Sequence, residues 1–298
     1  MSKSKLAVDL MGGDLGPKYL AKGLIASAIA HPDVTYYAVA LPHVLSQCLA
    51  TRPQNIEVIP AEHEITMHMS VSEVVKIGAS SSMGTAIQLV AEDRVDACVS
   101  CGNTVGLMTL AFKMLRMQPG IRRPALLSSI QFNQHRTYLT DLGANILPKP
   151  EDFLDNARLA VDYISVENPK IAILNIGREP SKGTPLVKEA AKLLISSELN
   201  YVGFAEGHDI LSNQYDIILS DGFVGNCITK FMESMLSIFC KLSPDIANTN
   251  KLPKINYAAL FAGLNGRVYK THGHSTAQIF SQALEDIISQ EQLLISAE

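Results

Sequence analysis

Short apolar runs alternate with amphipathic stretches along this chain. Residues 5–10, 34–40, 56–61 and 96–100 are strand-like runs rich in Val, Ile, Leu and Ala. Between them apolar positions recur three or four apart, as Leu20, Leu24 and Ala28 do. That spacing predicts helices over 17–30 and 42–51, from Met83 to near Arg94, and from Thr104 to about Met117. Further on, strands 124–130 and 136–142 flank a polar connection and read as a hairpin. A helix over 151–165, a strand over 170–176, a helix over 185–196, strands over 201–206 and 215–220 and a helix over 224–242 follow. Residues 242–254 read as loop, 256–263 and 267–272 as short strands, and a last helix starts near Ser275. Across 63–79 the periodicity weakens and predicts no element. Strands alternating with helices predict an α/β protein with a mostly parallel, doubly wound sheet in three α/β/α layers. The chain reads as one unit over 1–298, with 166–169 the place for a lobe boundary if there are two.

Five turns share one composition: a strand ends, small residues with Asp, Asn or Lys follow, and a helix begins. They are Gly12-Gly13-Asp14, Gly102-Asn103-Thr104, Asp141-Leu142-Gly143-Ala144-Asn145, Lys182-Gly183 and Asp221-Gly222-Phe223-Val224-Gly225-Asn226. In a parallel sheet such turns lie at the carboxyl ends of the strands, where ligands bind. A helix start adds unpaired N–H groups and the positive end of the dipole, so an anion is held there without a cationic side chain. Glycine lets the backbone approach the anion, and the expectation is that the five tips line one cleft. The plainer reading is that the glycines serve the turns and that Asp14 and the serines at 80–82 are helix caps.

Charge and cysteine usage narrow the classes. A formal net charge of −4 gives no global attraction to nucleic acid, and Lys113, Arg116, Arg122 and Arg123 are the densest basic region, either a steering patch for an acidic partner or a solvated surface. No stretch has the order of a signal peptide and no apolar run reaches membrane-span length, so a cytoplasmic protein with its five cysteines reduced is expected. Cys98 and Cys101 form a lone C-x-x-C without the second pair of a closed zinc site, and His43, His63 and His68 have no metal spacing. The G-x-S-x-G, G-x-x-x-x-G-K-[ST] and G-x-G-x-x-G patterns are absent, which argues against serine hydrolase, P-loop and Rossmann dinucleotide chemistry.

The segments Ala7-Val8-Asp9-Leu10-Met11-Gly12-Gly13-Asp14, Ser100-Cys101-Gly102-Asn103-Thr104, Asp141 to Asn145, Leu174-Asn175-Ile176-Gly177, Lys182-Gly183 and Asp221 to Asn226 resemble the signature segments of PlsX, the family of bacterial phosphate acyltransferases. They come in the family's order, and the likeness continues to Thr271-His272-Gly273. The resemblance implies transfer of a fatty acyl group from acyl carrier protein to inorganic phosphate, giving acyl-phosphate for phospholipid synthesis. It also implies a homodimer, a fold similar to phosphotransacetylases and isopropylmalate dehydrogenases, and a downstream acyltransferase that uses acyl-phosphate on glycerol 3-phosphate. Peripheral contact with the inner face of the membrane stays open. No cofactor is expected, with Mg²⁺ left open for the carboxylates. On this reading Asp9, Asp14, Asn103, Asp141, Lys182, Asp221 and Asn226 act on the reacting groups, and Gly12, Gly13, Gly102, Thr104, Asn145, Gly222 and Gly225 bind phosphate. The chain departs from the family at Val105-Gly106, where Gly-Ala is common, and at 71–79, a basic stretch in relatives that here holds only Lys76. An acyl-CoA-using phosphotransacetylase-like enzyme, a metal- and NAD-dependent dehydrogenase and a non-catalytic scaffold of lipid synthesis are the competing readings.

Overall fold

The computed structural model describes residues 4–243, 245 and 252–295. The chain divides into two compact units, Met1–Pro119 with Tyr257–Glu298, and Gly120–Asn256. Residues 166–169 are therefore a connection inside the second unit.

In the first unit the strands are β1 (Lys5–Asp9), β2 (Thr35–Ala40), β3 (Ile56–Pro60), β4 (Ala97–Ser100), β11 (Ala258–Ala262) and β12 (Arg267–Thr271). They lie in the order β3-β2-β1-β4-β12-β11. All neighbours are parallel except β11 with β12, which form the short antiparallel pair. Leu6, Ala7 and Val8 of β1 are fully buried, as a central parallel strand covered on both faces requires. The helices are α1 (Pro17–Ala30), α2 (Pro42–Cys48), α3 (Val71–Ile77), α4 (Ser82–Ala91), α5 (Thr104–Leu115) and α9 (Ala277–Ile295). Helix α1 starts on proline, whose fixed φ suits a first turn. It meets α9 so closely that a Cβ on Gly23 would stand 2.6 Å from the Ala277 carbonyl oxygen. Helix α3 falls in the stretch for which no element was predicted. Ser70 caps it, with Glu73 returning the hydrogen bond in a capping box.

The second unit holds β5 (Ala125–Phe132), β6 (His135–Thr140), β7 (Ile171–Leu174), β8 (Tyr201–Ala205), β9 (Ile217–Leu219) and β10 (Lys254–Ile255), with α6 (Pro150–Tyr163), α7 (Pro185–Ile195) and α8 (Gly222–Leu242). Strands β5 and β6 form the expected antiparallel hairpin, and β10 adds to the other side of β5. Strands β6, β9, β7 and β8 continue in parallel, in that order. Lys254 thus belongs to a strand, while 244 and 246–251 of the expected loop lie outside the described residues. Helix α8 starts at Gly222 rather than Val224, because Asp221 is the cap and both glycines lie inside the first turn. The mostly parallel α/β architecture read from the sequence is the one found in each unit.

Candidate functional site

In the first unit Asp9 is the hub of the loops. The side chain is 1% exposed at the end of β1, in register with Ser100 of β4. One carboxylate oxygen accepts the Met11 N–H (3.0 Å) and the other accepts the Ser100 hydroxyl (2.6 Å), whose oxygen in turn accepts the Gly102 N–H (3.0 Å). Burial pushes the Asp9 carboxyl up from its ordinary value, while the hydroxyls of Ser100 and Ser82 and the N–H groups of Met11 and Gly12 draw it back. The β1 and β4 turns are pulled together until a Cβ on Gly12 would lie 2.3 Å from the Gly102 nitrogen. Gly12 is needed for this approach of backbone to backbone, whereas a Cβ on Gly102 would meet the Met83 methyl at 2.7 Å. Asn103 caps α5 through Gly106 N–H (3.0 Å), and its amide donates to the carbonyls of Thr66 and Met67. Among the described residues no hydrogen-bond partner is found for the Thr104 and Val105 N–H groups in the first turn of α5. Asp14 is exposed, with its N–H donating to the Gly273 carbonyl (2.7 Å) and His274 3.6 Å from its carboxylate. Gly13 lies in the positive-φ region at 126° and turns the chain between Gly12 and Asp14.

In the second unit Asp141, also 1% exposed, takes the corresponding place at the end of β6. Its carboxylate accepts N–H groups of Leu126 (2.9 Å), Gly143 (3.2 Å), Ala144 (3.0 Å) and Asn145 (2.6 Å), and the Asn145 side-chain amide (3.0 Å). Burial pushes this carboxyl up too, against those N–H donors. The Asn145 amide also reaches the Pro124 carbonyl (2.8 Å). Gly222 N–H donates to the Asn145 carbonyl (3.0 Å) and Gly225 N–H to that of Asp221 (2.9 Å), while Asp221 caps α8 through Val224 N–H (2.8 Å). A Cβ would lie 2.6 Å from the Asn145 oxygen at Gly222 and 2.0 Å from the Asp141 oxygen at Gly225. The two glycines thus admit the protein's own 141–145 loop, and their N–H groups are used inside the protein. Among the described residues no hydrogen-bond partner is found for the Phe223 N–H or the Asn226 side-chain amide in the first turn of α8, the latter packed beside Gly143.

Lys182 and Gly183 follow β7. Gly183 has φ 91°, the Lys182 carbonyl accepts the Asn175 amide (3.3 Å), and the Lys182 side chain runs exposed over Gly177. Of the basic region, Arg122 is paired with Glu151, Asp152 and Asp155 within the second unit. Sequence reasoning missed Ser100, Ser220, whose hydroxyl donates to the Asp141 carbonyl (3.0 Å), and the Phe223 and Val105 N–H groups. A serine two residues before the glycine in two of the five turns, Ser100-Cys101-Gly102 and Ser220-Asp221-Gly222, was the legible signal.

A family model described as fatty acid synthesis protein matches residues 4–257. A phosphate acyltransferase of Pseudomonas fluorescens is 33% identical over 313 residues, covering 96% of this chain and 93% of the relative. One from Coxiella burnetii is 34% identical over 316 residues, covering 96% and 92%. The chain belongs to the phosphate acyltransferase family. This family membership makes it a transferase. Among solved structures, a phosphotransacetylase from Streptococcus pyogenes superposes with TM-score 0.64 at 16% identity, covering 98% of this chain and 94% of that one. A 4-hydroxythreonine-4-phosphate dehydrogenase from Klebsiella pneumoniae does so with TM-score 0.60 at 12% identity, covering 98% and 99%. At these identities the phosphate acyltransferase chain shares their fold. Among the described residues no three His, Cys, Asp or Glu side chains gather as a metal site, and no helix is long and apolar enough to cross a membrane.

Proposed function

We propose that this transferase moves a long-chain acyl group from acyl carrier protein to inorganic phosphate by direct attack of bound phosphate on the thioester. Phosphate is already an anionic nucleophile near neutral pH, so the protein's task is to hold it in line and stabilise the oxyanion that develops. The observation that carries this reading is the first turn of α8. Its neighbours are fully hydrogen-bonded, while the Phe223 N–H and the Asn226 amide stay free at the positive end of a 21-residue helix. Asn226 and the Phe223 N–H are the donors we assign to anion binding, with exposed Lys182, in the loop after β7, as the cation. Thr104 and Val105 offer the equivalent donors in the first unit. Asp9 and Asp141 are positioning residues, since their oxygens are occupied by the loops they hold, and Asn103 and Asn145 support those loops.

The same reading makes the product a substrate for an acyltransferase acting on glycerol 3-phosphate. On the same reading the protein works in the cytoplasm. The exposed apolar residues Phe231, Ile238, Phe239 and Leu242 along α8 support a homodimer. The test is acyl-phosphate formation from hexadecanoyl-acyl carrier protein and phosphate, with hexadecanoyl-CoA and Asn226→Ala run in parallel. The expected result is carrier-dependent product that falls at least about tenfold in the variant, equivalent to ~1.4 kcal/mol of transition-state binding. Turnover with CoA alone would identify a phosphotransacetylase-like enzyme, and no turnover by folded protein a scaffold.

A further inference from the structure

Four large apolar side chains stand in water around the second unit's strand ends: Leu147 is 86% exposed, Ile176 80%, Ile146 63% and Phe223 60%. They come from three separate segments rather than from one helix face. Ile146 follows Asn145 and Phe223 follows Gly222, and those two predecessors are hydrogen-bonded to each other at 3.0 Å. Ile176 leaves the end of β7, the strand beside β9, from which the chain passes to Asp221. The patch therefore borders the free Phe223 N–H and the Asn226 amide.

Ile146 and Leu147 are displayed by a loop fixed on both sides. Before them, Asn145 is anchored to Asp141 and to the Pro124 carbonyl. After them comes Pro148, and then the Lys149 N–H, held by the Asp152 carboxylate at 2.7 Å. The backbone that displays this pair is held at both ends, so binding there costs little loop ordering.

Free donors that suit an anion beside fixed apolar side chains match a molecule with a polar head and an aliphatic tail. We propose that Ile146, Leu147 and Phe223, with Ile176, receive the aliphatic chain of the acyl donor next to its carbonyl and set the chain-length preference. This inference rests on the acyl-transfer reading above, and it names the part of the substrate that reading leaves unplaced.

Two readouts separate the inference from the reading it rests on. The first is the ratio of kcat/KM for hexadecanoyl- over octanoyl-acyl carrier protein, measured for the wild type, Leu147→Ser and, as a control on the exposed end of α7, Ile195→Ser. The expected ratio falls about tenfold in Leu147→Ser and is unchanged in Ile195→Ser. Equal loss with both donors, or an unchanged ratio, overturns the inference while leaving acyl transfer intact. A change of oligomeric state by light scattering with an unchanged ratio also overturns it and assigns the patch to a copy interface. The second readout needs no turnover. The chain has no tryptophan, so Leu147→Trp supplies a unique fluorophore. Its emission should shift to the blue on adding the hexadecanoyl donor and stay in place on adding phosphate alone. A shift without turnover retains the chain site and defeats the acyl-transfer reading. No shift defeats the chain site, whatever the turnover.

Discussion

Asp9 and Asp141 show how one carboxylate can be worth more as an acceptor than as an acid. Each sits at a strand end and fixes a turn by gathering N–H and hydroxyl donors. Because burial raises the Asp9 carboxyl above its ordinary value of 3.8, its titration stabilises the fold below that pH. That contribution is lost as pH rises through the folded value. Asp9→Asn removes the titration, so the variant should be less stable than wild type at pH 4 and its deficit should shrink as pH rises. Urea midpoints between pH 4 and 7 check this, and a deficit that grows with pH would refute it. At Gly225, alanine would gain about 1 kcal/mol of helix propensity but bring its Cβ against the Asp141 carbonyl and the Ser220 hydroxyl. Gly225→Ala should therefore lose about 1–3 kcal/mol by chemical denaturation. The sequence showed that these residues stand together, since glycine, carboxylate and amide recur at strand ends. It did not show which were spent on each other. That depends on contacts between residues about 80 apart, such as Asp141 with Ser220, and no periodicity encodes those.

At the scale of elements, α9 is tied to the first unit's sheet by Glu291, which accepts the Tyr269 hydroxyl (2.7 Å) and pairs with Arg267 (2.7 Å) while fully buried. Glu291 is buried whereas the Arg267 side chain is 29% exposed and also reaches the Asp96 carbonyl, so losing the pair leaves that cation partly solvated. Glu291→Gln should therefore cost about 1–2 kcal/mol of stability, read as a lower thermal midpoint with the α9 amides exchanging faster. Most elements were legible because their apolar residues keep a period of two or 3.6. Helix α3 was not, because it is seven residues long and only Val74 of it is buried, so no apolar stripe forms. The Ser70-to-Glu73 capping box was the signal available there, and it is local rather than periodic.

For the whole molecule, thiol chemistry tests both burial and assembly. Burial pushes the Cys101 thiol up to about 11 and raises Cys98 as well, whereas Cys227 and Cys240 are exposed on α8. Iodoacetamide at pH 8 should spare Cys98 and Cys101 in the native protein. Labelling of Cys227 or Cys240 that slows as protein concentration rises would support the proposed α8 homodimer. The division into two units was not legible, because it is made by β11, β12 and α9 returning from the end of the chain to the first unit. Pro119-Gly120 and the polar loop before Asn256 mark breaks in the chain, but nothing in their composition says that the segments outside them belong together.

Direct attack by bound phosphate is the central claim, and a single-turnover reaction with hexadecanoyl-acyl carrier protein, with and without phosphate, tests it most directly. Free carrier thiol should appear only when phosphate is present, together with acyl-phosphate, and intact mass should show the protein unmodified throughout. Stoichiometric thiol release without phosphate, accompanied by an acyl adduct on the protein, would contradict the account.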